Sequence, residues 1–429
     1  MSPEARASTE LETKDNQTQT QAPVEAKPGM DFPDGGLRAW LVVLGTGMSL
    51  TASFGYVNSW GVFQSYYETD LLRDYSPSTI AWIGSIQYAL VFLPALPIGR
   101  LFDLGYFRLP FLLSCIAIVV GAFLTGECTK YWHFMLCQGV LQGIACGCLF
   151  SPTLAIIGHW FHKNRGKAMG LAAMGSSVGG IIFPIAARRL IVQVGFPWTM
   201  RILGFILLFC LAIPNVTLAR RLPPKNIEGG LFNWAAFRNP AFSCYTLCTM
   251  VTFLGLYTVL MYIDISAQSV GVSEDVSFYL VSIINASSGV GRLVAGMLVD
   301  KTGAINFIAP TTFLAGILTY AWPFARGLGS LIAVSIIYGL MCGTYIASFI
   351  IPLFAMGDIS DLGRRAGMVM SVSAIGALTG PPISGAINKA TGGFEKVGYY
   401  AGSMIILSVI LMLGTRQLLL GKGKVWGKV

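Results

Sequence analysis

Arg292 is the residue with the most chemistry to offer, because it sits at the middle of an otherwise uncharged apolar stretch, 276–299. A guanidinium at that depth of a bilayer costs at least ~2.5 kcal/mol, so it is normally received by protein or by a wet cavity. Its planar fork can hold a carboxylate through two parallel hydrogen bonds, which points to recognition of an organic anion in a dry site. The structural alternative is a packing role, bonding backbone carbonyls or reaching toward Asp300, eight residues on and so roughly 12 Å along a helix. Asn285 stands seven residues before Arg292 and shares its helix face. Asn58, Gln142 and Tyr345 also fall at mid-span, as do Gln64, Gln87, Tyr88 and Gln138. They either line the same cavity or hydrogen-bond one helix to another.

A second group of charges lies at the ends of apolar stretches. Gly99-x-x-x-Asp103 and Gly296-x-x-x-Asp300 are separated by 197 residues. Arg100 and Lys301 accompany these carboxylates, and basic residues (Arg165 in one half, Arg364 and Arg365 in the other) precede later stretches. A carboxylate at a helix end can pair with arginines in one conformation and release them in another, the chemistry of a gate. A tight turn between antiparallel helices would use the same residue types.

The elements that must position these groups are membrane helices. Twelve stretches are long and apolar enough to cross a hydrocarbon core of ~30 Å, at 39–67, 75–99, 109–126, 131–162, 168–187, 202–219, 239–263, 276–299, 302–325, 327–357, 366–388 and 397–415. Hydrophobic residues make up 54% of the 429 and charged residues 11%; no water-soluble domain hides that much apolar surface. The expected fold is therefore an all-α membrane protein of 12 transmembrane helices in two six-helix bundles. Residues 1–37 read as a disordered cytosolic tail, 38–219 as the first bundle, 220–240 as a cytosolic central loop, 241–419 as the second bundle and 420–429 as a short tail. Gly175-x-x-x-Gly179 and Gly376-x-x-x-Gly380 repeat at an offset of 201. Matched landmarks at a nearly constant offset predict a transporter built from two related halves, with the substrate path between them.

Lys and Arg are concentrated in the loops that share a side with the termini, which orients both termini to the cytosol; the plasma membrane is the expected location, with an organelle membrane left open. The net charge of +9 is spread over these loops, so it suggests the lipid bilayer as partner rather than nucleic acid. The nine cysteines fall almost wholly inside spans and no histidine cluster completes a metal site, so no metal and no cofactor is expected. No Gly-rich phosphate loop or catalytic constellation appears, which argues against an enzyme and against ATP-driven transport. Two functions fit: a secondary carrier of a small organic anion or metabolite, and a non-transporting nutrient or metabolite sensor with a carrier fold. A co-transported proton is an open expectation.

Gly296-Met297-Leu298-Val299-Asp300-Lys301-Thr302-Gly303 resembles the G-x-x-x-D-[RK]-x-G signature of the major facilitator superfamily, whose aspartate and neighbouring basic residues form a charge relay. The first-half copy keeps Asp103 but has Leu104 where a basic residue is expected. A narrower resemblance is to the monocarboxylate transporter family, in its fungal branch. It rests on Asp34-Gly35-Gly36-Leu37-Arg38-Ala39-Trp40, on the segment from Trp160 to Gly170, and on Asn285 to Arg292. That resemblance implies that Arg292 binds a substrate carboxylate. Ser288 falls where the family has an aspartate and Asn58 where it has a lysine, so proton coupling by an Arg–Asp pair is not implied. Import of a monocarboxylate and export of a fungal secondary metabolite both remain.

Overall fold

A computed structural model describes residues 32–223, 230–357, 361–421 and 427. Among these residues the regular structure is helical throughout, and the helices lie in one compact unit, Pro33–Val429. They are numbered α1 (Gly36–Leu71), α2 (Thr79–Asp103), α3 (Arg108–Gly126) and α4 (Tyr131–Ile157). The continuous run Arg165–Thr217 is 53 residues long, about twice what a bilayer needs. Gly195 divides it, at φ 79° and ψ 165°, a conformation open to glycine at little cost. We number the parts α5 (165–194) and α6 (196–217). The remainder are α7 (Pro240–Ser269), α8 (Glu274–Thr302), α9 (Ala304–Ala321), α10 (Leu328–Ser348), α11 (Leu362–Thr391) and α12 (Glu395–Leu420). Among the described residues twelve spans are thus present, as 11 apolar helical runs of which one is double.

Some boundaries differ from the sequence reading. α1 runs on to Leu71 and α7 to Ser269, so Glu68, Asp70 and Asp264 lie inside helices rather than in loops. Arg292 is therefore not the only charge within the spans. α4 stops at Ile157, before the turn at Gly158, and leaves His159 and His162 outside it. Within the central loop, Trp234–Arg238 forms a short 3-10 turn, with Trp234 exposed.

Small residues set how closely the helices approach. A Cβ at Gly175 would lie 1.9 Å from the Gly47 carbonyl oxygen, and one at Gly179 2.5 Å from that of Thr51, so this face of α5 packs on α1. In the second half Gly376 and Gly380 do the same against Met250 and Leu254 of α7, at 2.3 and 2.5 Å. The repeated glycines join equivalent helices within each half. The Gly139, Gly143, Gly147 ladder of α4 likewise receives α2 at Ile83, Gln87 and Leu90.

The halves meet along α5 with α8 and along α2 with α11. Gly170 lies against the Arg292 carbonyl and Gly296. Pro97 has no N–H to offer the Leu93 carbonyl four residues earlier, and Ser371 Oγ of α11 donates to that carbonyl instead, at 3.0 Å. At the face away from the termini, Arg188 of α5 reaches Glu274 at 3.9 Å and lies 4.6 Å above the Phe278 ring of α8.

Candidate substrate cavity and gates

The cavity between the halves has aromatic walls. Phe54, Phe92 and Phe150 come from α1, α2 and α4, and Phe253, Tyr257 and Phe349 from α7 and the end of α10. Phe54 and Phe150 pack edge to face at 4.6 Å, and Phe92 reaches across to Phe253 at 5.1 Å. The empty space among these side chains, open mouth included, is about 540 Å³.

Arg292 is the one cation among the lining residues, and no carboxylate joins it there. It is 4% exposed. Its NH1 donates to the Ala173 carbonyl at 2.6 Å and to Ser176 Oγ, both on α5. Its Nε is buried and has no hydrogen-bond partner. Sequence reasoning offered carbonyl bonding and anion binding as alternatives; the side chain bonds a carbonyl with one nitrogen while another is left over. Among the described residues no Asp or Glu forms an ion pair with it. A buried charge without a counter-ion is costly, and an anionic ligand would remove that cost.

Asn58 and Asn285 lie beside the cavity lining rather than in it, and they touch each other. Asn58 Nδ2 donates to Asn285 Oδ1 at 3.4 Å, and Tyr88 OH donates to Asn58 Oδ1 at 3.1 Å. This amide pair crosses between the halves, and Gly180 leaves space for it, since a Cβ there would meet both side chains. Gln142 does not reach the cavity. It packs on Gly121 of α3 and accepts from Gln87 Nε2 at 3.5 Å, because that face of α4 turns into its own half. Tyr345 is fully buried with its hydroxyl unpartnered, stacked on Phe349 at 5.8 Å, behind the wall rather than on it.

The face that carries the chain ends holds two carboxylate contacts between the halves, the candidate gates. Asp300 of α8 accepts from the Gly166 N–H with both oxygens, each at 3.0 Å. Asp103 of α2 accepts from the Arg364 N–H at 3.0 Å. Each carboxylate therefore caps the first turn of a helix in the other half, where orphan N–H groups and the helix dipole favour negative charge. In this conformation both carboxylates hold backbone amides, and Asp300 also lies within electrostatic reach of Arg165. Arg165 stacks 3.9 Å from the Phe354 ring and donates to the Phe161 carbonyl, while Lys301 is exposed. Arg100 lies one residue after Gly99 and is half-buried, within electrostatic reach of Asp103.

The sequence reading missed Asp361. Arg364 Nε donates to it at 2.6 Å, Arg365 lies 3.8 Å away, and Asn233 of the central loop donates to it at 2.6 Å. Asp34 had been noted within a motif but given no role. Its Oδ1 accepts from the N–H groups of His162, Lys163 and Asn164 at 2.7, 2.6 and 3.2 Å. Its signal was the motif itself; Asp361 had the cue of standing three residues before a buried arginine. Beneath this layer His159 packs 5.1 Å from the Phe102 ring, and burial, reinforced by the charge of Arg220, pushes its imidazole down to about 3.

Two six-span halves, with an aromatic cavity and carboxylate-capped helix ends between them, have the architecture of a membrane carrier. The Major Facilitator Superfamily model matches residues 46–357 and 245–421, and the chain belongs to that superfamily. It is 36% identical over 407 residues to the Aspyridones efflux protein of Emericella nidulans, covering 94% of this chain and 82% of that one. It is 37% identical over 392 residues to the Fujikurins efflux protein of Gibberella fujikuroi, covering 90% and 84%. Its fold is similar to that of FucP in the outward conformation, with a TM-score of 0.66 at 15% identity over 88% of this chain and 98% of that one. The chain is a multi-pass membrane transporter of small molecules, and the sensor alternative falls away.

Proposed function

We propose that this transporter exports an acidic secondary metabolite by alternating access, with Arg292 holding the anionic group and the aromatic wall holding the apolar body. The observation that carries this reading is a buried guanidinium, unpartnered at Nε, in an aromatic cavity without a carboxylate. Relatives that are efflux proteins for Aspyridones and Fujikurins favour export over uptake. The segment Asn285 to Arg292 and the Asp34 motif keep the chain close to monocarboxylate transporters, from which it departs at Ser288 and Asn58. Asn58 and Asn285 would then contribute neutral hydrogen bonds, and a coupled proton would need a carboxylate other than one paired with Arg292.

Residues 38–219 and 241–419 act as the two moving bundles, joined by 220–240, with 1–37 and 420–429 as cytosolic tails and the plasma membrane as the site of action. Asp103, Asp300 and the arginines around them close the cytosolic face. The test is flux of a panel of acidic and neutral aromatic metabolites from cells expressing wild type, Arg292→Ala or Arg292→Lys. Loss of one partner of a buried charge contact costs ~2–5 kcal/mol, so acid flux should fall at least about thirtyfold in the alanine variant and recover in part with lysine. Unchanged acid flux in a correctly localised alanine variant would sink the role of Arg292.

A further inference from the structure

Outside the substrate cavity, a groove opens at the face that carries the chain ends, between the start of α3 and the residues after α6. We propose that it binds the phosphate headgroup of an anionic phospholipid. Its empty space is about 1050 Å³, mouth included, and it is lined by Leu101, Tyr106, Arg108, Leu109, Pro110 and Arg220, among others.

Three observations identify the occupant. The groove has an arginine on each side. Arg108 is exposed at its rim, and Arg220 lies 4.9 Å from the Phe102 ring with a buried Nε that has no hydrogen-bond partner. The acid in electrostatic reach of Arg220, Asp103, is already bonded to the α11 backbone. Next, α3 begins here without a side-chain cap, and Arg108 and Leu109 of its first turn line the groove with N–H groups that favour an anion, Pro110 having none. Lastly, the groove continues into an apolar stripe on the outside of α3, where Leu109, Leu113, Ile116 and Val120 are all exposed. Arginines fit phosphate oxygens bidentately, and an acyl chain fits such a stripe at helical spacing. A basic pocket between spans at the cytosolic level is where acidic headgroups bind. A free phosphate ion would satisfy the arginines but leave the stripe without a role.

The experiment is native mass spectrometry of the purified full chain, delipidated in detergent and titrated with phosphatidylserine or phosphatidylcholine. Wild type should retain phosphatidylserine at least tenfold better. Each of Arg108→Gln and Arg220→Gln should reduce that preference about fivefold, the effect of one basic side chain at a membrane surface. Arg238→Gln, an exposed cation elsewhere on this face, should leave it intact. No preference in wild type, or a preference in both single variants that is unchanged from wild type, overturns the proposal. Displacement of phosphatidylserine by millimolar inorganic phosphate, with the same dependence on both arginines, overturns the lipid assignment in favour of an ion site. Because retention is read without transport, failure here leaves the role of Arg292 untouched.

Discussion

The two carboxylate caps, proposed above as gates, occupy equivalent places in the repeat and use the same bond, yet they are anchored differently. Asp300 caps α5 and Asp103 caps α11, each across the boundary between halves. Behind the α5 gate, Asp34 gathers three backbone N–H groups of the loop before the helix. Behind the α11 gate, Asp361 is 5% exposed and is surrounded by Arg364, Arg365 and Asn233. The central loop also supplies the Gly230 carbonyl to Arg364. One anchor is a carboxylate against neutral amides near water; the other is a buried ion network tied to the linker between halves. The repeat conserves where the gate closes, while the charge that steadies it differs on the two sides.

Substitution of the two anchors should separate them most. Asp361→Asn leaves two buried guanidinium groups without their acid, a loss of ~3–5 kcal/mol, and should abolish folding or flux. Asp34→Asn removes a capping charge and should cost about 1 kcal/mol. Thermal unfolding of both purified variants checks this, and equal losses would mean the anchors are alike after all. Within the halves, Gly175→Ala forces a methyl onto the Gly47 backbone and should cost ~1–3 kcal/mol, seen as a lowered Tm. Gly61→Ala, with nothing within 4 Å of the added carbon, should be near neutral.

The gates themselves come next. Asp300→Asn should exceed Asp103→Asn in effect on transport rate, because both Asp300 oxygens reach Gly166 N–H whereas one Asp103 oxygen reaches Arg364 N–H. Each should amount to roughly 0.5–2 kcal/mol of gate closure, measurable as labelling of cysteines introduced at the closed face. A reversed order would make Asp103 the dominant cap.

The smallest effect concerns pH. His159 has a native pKa of about 3 against 6.5 for the ordinary side chain. Between those values the unfolded chain binds a proton that the native protein excludes, so stability falls as pH drops from 6.5 toward 3 and is unaffected above that range. His159→Gln should flatten the difference in Tm between pH 7.5 and pH 5.5; an unchanged slope would assign it to other groups.

Much of this architecture was legible in the chain because a bilayer asks for little besides length and apolarity. The spans, the repeat at Gly99/Asp103 and Gly296/Asp300 and the mid-span position of Arg292 follow from one-dimensional spacing. Division of the long run at Gly195 needed only the rule that a helix cannot be twice the bilayer thickness. Boundaries at Ile157 and Ser269 were less visible, since apolar composition continues past the turn after α4 and a single Asp264 does not stop α7.

What the tertiary structure decided is which face each polar group presents, and that depends on helix rotation against neighbours. Gln142 and Asn58 look alike as mid-span amides, but one faces its own half and the other meets Asn285 across the boundary. Arg292 could have paired with Asp300; instead α5 brings Ala173 and Ser176 to its guanidinium, while Asp300 turns to Gly166. Composition can state that a charge is buried. Only the packing of distant helices, set by glycines such as Gly170 and Gly296, determines what that charge will meet.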